Sequence, residues 1–281
     1  MTAPIDAGIV GLTIGPVASA IDARWLMAYA AALGETDERY YDTTAPAGPL
    51  AHPLFPVCYE WPAAVALQAK AVDAALAPRS VHARHSLVLH RAPRAGDSLR
   101  TTARVIAVRP RRSGTLVVSR YTTTDLTGVR VSTTDYGSLY RGVALAGEPA
   151  GELDEGGAGD AGDVRWEDDV AVARPAAHVY TEGARIYNPI HTDVGVARAA
   201  GLPAPILHGT ATLALAVSRV VARDLDGEPG RVRGVAARFT AMVPLPSTFR
   251  VRGRGRHGDR VVFDATAADG AAVLSDGAVI A

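Results

Sequence analysis

Cysteine is almost missing from this chain. The single Cys58 has no partner for an internal disulfide and no company for a thiolate metal site. A lone small thiol reads as a buried hydrophobe rather than a nucleophile. Aromatic residues are scarce at 6%, so Ala, Val and Gly do much of the filling in a chain that is 48% hydrophobic. Neither sign of charge is in excess: 29 Lys and Arg balance 29 Asp and Glu. That balance removes the global field that would favour nucleic acid or an anionic membrane. No apolar run reaches the roughly 20 residues a membrane span requires. The opening MTAPIDAGIVG lacks the basic start and long apolar run of a secretory signal. A cytoplasmic protein with no membrane and no nucleic-acid partner is expected. At 281 residues there is room for one large domain or two of ordinary size.

Apolar residues large enough to bury are almost missing from one segment near the middle, AGEPAGELDEGGAGDAGD at 146–163, which has the Gly-rich acidic texture of a linker. It implies a first unit over residues 1–145, a linker over 146–165 and a second unit over 166–281. Both units follow one plan. In the first, Asp22 is a candidate N-cap for a helix whose stripe is Trp25, Leu26, Tyr29, Ala30 and Leu33, with Gly34 placed to stop it. A loop containing AHPLFP leads to an Ala-rich helix through WPAAVALQAKAVDAAL. Then come four strand-like runs, HSLVLHRA, SLRTTARVIAVRP, GTLVVSRYTTTD and VRVSTTDYGSLYRGV, separated by turn signals. In the second, the helix-like AAHVYTEGARIYNPIHTD precedes VGVARAAGLPAPILHG. The run TATLALAVSRVVARDL follows, then GVAARFTAMVP, TFRVRGRGR, RVVFDATAAD and AAVLSDGAVIA. Sliding the chain by 151 residues puts Tyr29 on Tyr180 but produces few other identities. The repeat therefore lies in the order of elements. TATLALAVSRVVARDL is apolar or small on nearly every face and must be enclosed. A long antiparallel sheet wrapped around it would do so, and two such units can join sheets edge to edge, which removes exposed strand edges.

The stretch 180–212, YTEGARIYNPIHTDVGVARAAGLPAPILHGTAT, holds the chemistry. Pro189 fixes its own backbone angle and biases Asn188 away from helix, so the chain bends there and presents His191 just after the bend. A neutral imidazole suits proton transfer near neutral pH. Downstream, His208 and Gly209 open the apolar helix. Gly209 admits close backbone approach, and the free N–H groups of a helix start can polarise a carbonyl oxygen. A base beside such a helix start is what α-proton chemistry on a thioester needs.

NPIH-x-D followed by A-x-x-x-G-L-P-x-P-I-L-H-G resembles the signature of the MaoC-like (R)-specific enoyl-CoA hydratase and 3-hydroxyacyl dehydratase family. The first half, with HPLFPVCYEWP and HRAPRAGDSL, resembles the N-terminal unit of double hot-dog members. The resemblance implies an α+β double hot-dog fold. It implies hydration of trans-2-enoyl thioesters and dehydration of (R)-3-hydroxyacyl thioesters, in fatty acid or polyketide metabolism. The substrate would be carried by CoA or acyl carrier protein, with no cofactor and no metal. His191 would be catalytic, Asn188 would support the geometry, and the Gly209 amide would contact the thioester carbonyl. Tyr180, Ile186, Tyr187, His208 and Thr210 are the expected substrate-binding residues. A homodimer and a monomer both stay open.

The family usually reads G-D-x-N-P-x-H, and here Ile186 stands where that Asp would be. A branched alkyl group neither accepts a proton nor orients water. Three consequences stay open: His191 acts alone or with an acid from Glu182, Asp193 or Glu35; the chemistry is a one-base isomerisation or elimination; or the chain binds acyl thioesters without turnover. If the helix before Asn188 continues, Glu182 lies one turn from Ile186 on the same face.

The other polar candidates read as structural. His52 sits in the AHPLFP loop, and His85 and His90 face opposite sides of a regular strand. No His or carboxylate cluster has metal-ligand spacing. Arg109, Arg111 and Arg112, and the run RVRGRGR at 250–256, read as solvated hairpin residues that could also meet CoA phosphates.

Overall fold

The computed structural model describes residues 3–154, 156 and 162–281. The elements run β1 (Ile5–Asp6), β2 (Thr13–Ala20), α1 (Ala23–Ala32), α2 (Pro56–Ala71), β3 (Ser80–Leu89), β4 (Ser98–Arg111), β5 (Gly114–Asp125) and β6 (Arg130–Arg141). Two short strands follow, β7 (Leu145–Ala146) and β8 (Ala150–Gly151). The second half has β9 (Trp166–Val172), α3 (Ala176–Ala184), α4 (Val194–Ala199), α5 (Gly209–Asp224), β10 (Gly234–Phe239), β11 (Ser247–His257), β12 (Arg260–Ala267) and β13 (Ala272–Ile280).

One long sheet has the order β2-β4-β5-β6-β3-β10-β13-β12-β11-β9. Read outward from the β3–β10 seam, each half repeats the same strand order, and the seam itself is antiparallel, with Ala236 opposite Ser86. Each half wraps its face around one central helix, α2 or α5. This is the double hot-dog architecture expected from the order of elements. Tyr29 and Tyr180, the pair that superpose on sliding the chain by 151 residues, meet hydroxyl to hydroxyl at 3.4 Å.

α5 is enclosed as its composition demands: Leu213, Ala214, Ala216, Val217 and Val220 are fully buried, and they join the strand residues Val235, Phe249, Phe263 and Leu274 in one core. α1 begins at Asp22, whose carboxylate accepts from the Trp25 amide at 2.7 Å. α1 and α3 lie almost in backbone contact. A Cβ on Gly183 would stand 2.7 Å from the Ala28 carbonyl oxygen and 2.6 Å from the Ala32 Cβ, so only glycine permits this approach.

Several boundaries differ from expectation for local reasons. α2 starts at Pro56, which sits at the first helical position where its missing N–H costs nothing, and stops at Ala71 because Val72 is extended. α3 ends at Ala184 instead of continuing toward Asn188. Arg185 is left-handed at φ 57°, its guanidinium lies 4.2 Å over the Trp25 ring, and the Ile186 amide turns back to the Thr181 carbonyl. The start of the expected linker is paired: Leu145 and Ala146 bridge to β1, and Ala150 and Gly151 bridge to β4. Within 146–165, Glu155 and residues 157–161 lie outside the described residues.

Candidate active site

Asn188, Pro189 and His191 form a tight turn immediately before α4. Asn188 is its N-cap. His191 is 8% exposed, and its Nδ1 lies 2.9 Å from the Ile206 carbonyl oxygen. A carbonyl only accepts, so Nδ1 carries the proton and Nε2 holds the free lone pair. Burial holds this imidazole down to about 4, so it is neutral at physiological pH. Its ring stacks on His208 with centroids 3.7 Å apart. His208 is the N-cap of α5 and makes no side-chain cap, so the first-turn amides from Gly209 onward remain unclaimed by it. Burial first, and the neighbouring His191 second, hold His208 neutral as well. His191 and the start of α5 therefore lie side by side.

Both face one cavity of about 560 Å³. Ile186, Tyr187, Asn188, His208, Gly209 and Thr210 line it beside His191. Tyr180 does not line it. It is fully buried behind the wall, and its hydroxyl donates to Thr210 Oγ1 at 2.9 Å, so its contact with the site is through Thr210. The mouth is apolar and exposed, with Val65, Tyr187, Val196 and Met242 at the rim.

The candidate acids fare badly. Glu182 is exposed on α3 and, because that helix ends at Ala184, it does not share a face with Ile186. Asp193 is spent capping α4, accepting from the Gly195 and Val196 amides. Glu35 lies in the other half's counterpart of this corner. There it accepts from Ser218, and His52 Nε2 lies 3.1 Å from the same hydroxyl while His52 Nδ1 accepts from the Leu54 amide. With Nδ1 accepting, Nε2 of His52 carries its proton and cannot serve as a base. Among the described residues lining the cavity, the only carboxyl is Glu60 on α2.

Two cavity residues had no functional reading in the sequence. Glu60 is a lone carboxyl inside an apolar helix, and that isolation was the available signal. It accepts from Thr134 at 2.7 Å and Ser132 at 3.2 Å, and burial pushes it up to about 8. His82 borders Gly209: a Cβ on that glycine would stand 3.4 Å from His82 Nδ1 and 3.3 Å from the Phe239 ring. A register shift between His82 and Arg84 turns His82 inward beside His85, and a bulge of that kind has no mark in the residue pattern. His90 is exposed beyond the end of β3, opposite in sense to buried His85. The arginines have protein partners: Arg109 holds the Ala150 and Gly151 carbonyls, Arg250 pairs with Asp169, and Arg252 and Arg254 pair with Asp264.

Among solved structures, a MaoC-like dehydratase from Phytophthora capsici superposes with a TM-score of 0.86 at 21% identity, over 97% of this chain and 95% of that one. A conserved hypothetical protein from Mycobacterium tuberculosis described as a double hot-dog fold superposes at 0.61 and 19% identity, over 96% and 95%. Residues 162–271 match the family model described as a MaoC like domain, and residues 8–134 match one described as a FAS1-like dehydratase domain region.

The chain has the double hot-dog fold, and residues 162–271 carry its match to the MaoC like domain.

The site just described lies within the MaoC-like domain, apart from the wall that the first half contributes. Among curated relatives, the peroxisomal enoyl-CoA hydratase 2 of Arabidopsis thaliana is 35% identical over 77 residues, which is 27% of this chain and 25% of that protein's length. The match thus spans about a quarter of that relative.

Proposed function

We propose that this chain acts as a MaoC-like enzyme that hydrates trans-2-enoyl thioesters and, in reverse, dehydrates (R)-3-hydroxyacyl thioesters carried by CoA or acyl carrier protein. One observation carries the reading: the free Nε2 of a tautomer-locked His191 and the opening turn of α5 share a cavity. The names of the matched models and of the hydratase relative support it.

In the hydration direction, the thioester carbonyl accepts from the Gly209 amide, and the helix start stabilises the enolate charge that develops. Water adds its oxygen to C3 as His191 Nε2 takes one of its protons. The imidazolium then delivers that proton to C2, which restores the thioester and the neutral base. Ile186, standing in place of the family's usual Asp, leaves this relay to one residue and closes the wall with an alkyl group. Asn188 holds the turn that aims His191.

The test is loss of enoyl absorbance on incubation with crotonyl-CoA and with longer and branched trans-2-enoyl thioesters, on CoA and on carrier protein. Hydration of at least one is expected. An inert protein across the whole set overturns the proposal, and acyl-CoA binding in that inert protein would mark a thioester-binding module instead. The working base must be neutral, and burial lowers rather than raises its pKa. The kcat/KM profile should therefore stay flat down through pH 6 and fall only as pH approaches about 4. A loss centred near the ordinary imidazole value of about 6.5 would contradict the buried geometry of His191.

A further inference from the structure

We propose that the part of the cavity inside the first half receives an acyl group bearing a hydroxyl or keto oxygen along its chain, in preference to a plain alkyl tail. This rests on the thioester reading only in that the acyl group enters from the His191 end.

The two halves offer an internal comparison. Counted from the helix start, Leu213 is the fifth residue of α5 and Glu60 the fifth of α2. Leu213 is fully buried in an apolar core filled by Val235, Phe263 and Leu274. The fold therefore has no need of a carboxyl at this place. In the first half the equivalent face is hollow and polar. Strand register sets His85, Tyr136 and Ser119 in one row and His82, Ser138 and Val117 in the next. α2 adds Glu60 and Gln68 from the opposite side, and most of these groups line the cavity.

Part of this polarity has no protein partner. Thr134 and Ser132 both donate to Oε1 of Glu60, and Oε2 has no hydrogen bond among the described residues. Neither ring nitrogen of His82 makes a hydrogen bond of good geometry among the described residues. No protein group bonds the Tyr136 hydroxyl among the described residues; its ring stacks on His82 at 3.7 Å. An alkyl chain would desolvate these groups and return no hydrogen bond to them. A chain oxygen, keto or hydroxyl, can accept from Tyr136, a serine or the protonated Glu60, and a hydroxyl can also donate to His82.

The register also gives a reach. Ser138 is in register with His82, beside Gly209, and Thr134, which binds Glu60, is four residues further along β6. At about 3.3 Å per residue, the Glu60 end lies roughly 13 Å from the thioester position. That suits a medium-length chain with its oxygen toward the far end.

The test uses matched pairs: hexanoyl-, octanoyl- and decanoyl-CoA against their ω-hydroxy counterparts. Affinity is read by calorimetry, and kcat/KM is read on the corresponding trans-2-enoyl thioesters. At the best length the hydroxylated member should bind and turn over about tenfold better or more. The double variant Ser119→Ala, Ser138→Ala and the single variant Tyr136→Phe should each shrink that ratio toward one. Their small size changes keep folding intact, which a thermal melt checks. Equal or better binding of the plain chain at every length, or a ratio untouched by both variants, overturns the proposal. A binding preference without turnover sinks the hydratase reading and keeps this one. Turnover without preference does the reverse, and failure to bind any member overturns both.

Discussion

Replacing His191 with asparagine should lower hydration of a trans-2-enoyl thioester by about 10²–10⁴-fold while acyl-CoA still binds. Asparagine is chosen because its amide can still donate to the Ile206 carbonyl, the bond that Nδ1 makes at 2.9 Å in the parent. Alanine would leave that carbonyl bare, at about 1–3 kcal/mol, and would confuse instability with lost chemistry. Asparagine offers no basic nitrogen, so the proton of the attacking water has nowhere to go. The loss should fall on kcat with little change in KM, since the imidazole acts on the proton and not on the thioester carbonyl. Calorimetry with a saturated acyl-CoA should give a Kd close to the parent's. A variant that still turns over at the parental rate would remove His191 from the mechanism, and with it the one-base relay. A variant that loses binding in proportion would make His191 a binding residue.

Much of this site could be read from residues alone because its logic is local. The Asn-Pro bend, the imidazole after it and the glycine opening an apolar helix are each fixed within a few residues. The repeated order of elements likewise led to two joined units, since each central helix needs a sheet to enclose it. What stayed hidden depends on contacts between distant segments. The outer strands β2 and β9 lack a clear mark in the residues: TIGPVASA is an edge strand with no buried residue, and in WEDDVAV Asp168 interrupts the inward face of Trp166, Val170 and Val172. Glu182 shares a face with Ile186 only in a helix that continues past Ala184, and the left-handed Arg185 over Trp25 ends it. Tyr180 falls within the motif yet sits behind the wall, with its hydroxyl donating to Thr210 and lying beside the Tyr29 hydroxyl of the other half. His82 and Glu60 belong to the first half and become part of the site only when the two halves meet.

That meeting has a consequence for stability against pH. Glu60 is buried and pushed up to about 8, whereas the same carboxyl in the unfolded chain titrates in the ordinary range near 4.5. Between those values the unfolded chain has released a proton that the folded protein keeps. Stability from this group is therefore complete below the ordinary range and is lost as pH rises toward 8. The buried imidazoles act on the other flank. His52 is held at about 3, and His85 and His191 at about 4, all by burial, against an ordinary value of 6.5. As pH falls below 6.5 the unfolded chain gains protons that these residues refuse, so stability drops on the acid side too. The protein should be most stable in mildly acidic to neutral solution, with Glu60 shaping the alkaline limb. Glu60→Gln keeps an acceptor for Thr134 and Ser132 and removes the ionisation. Its thermal midpoint, compared with the parent's from pH 5 to pH 9, should gain steadily as pH rises. The difference should accumulate to a few kcal/mol by about pH 8, discounted for relaxation around the buried carboxylate. A constant offset between the two proteins across that range would mean that Glu60 ionises in the folded state as freely as in the unfolded chain, and that water or a cation reaches it through the cavity.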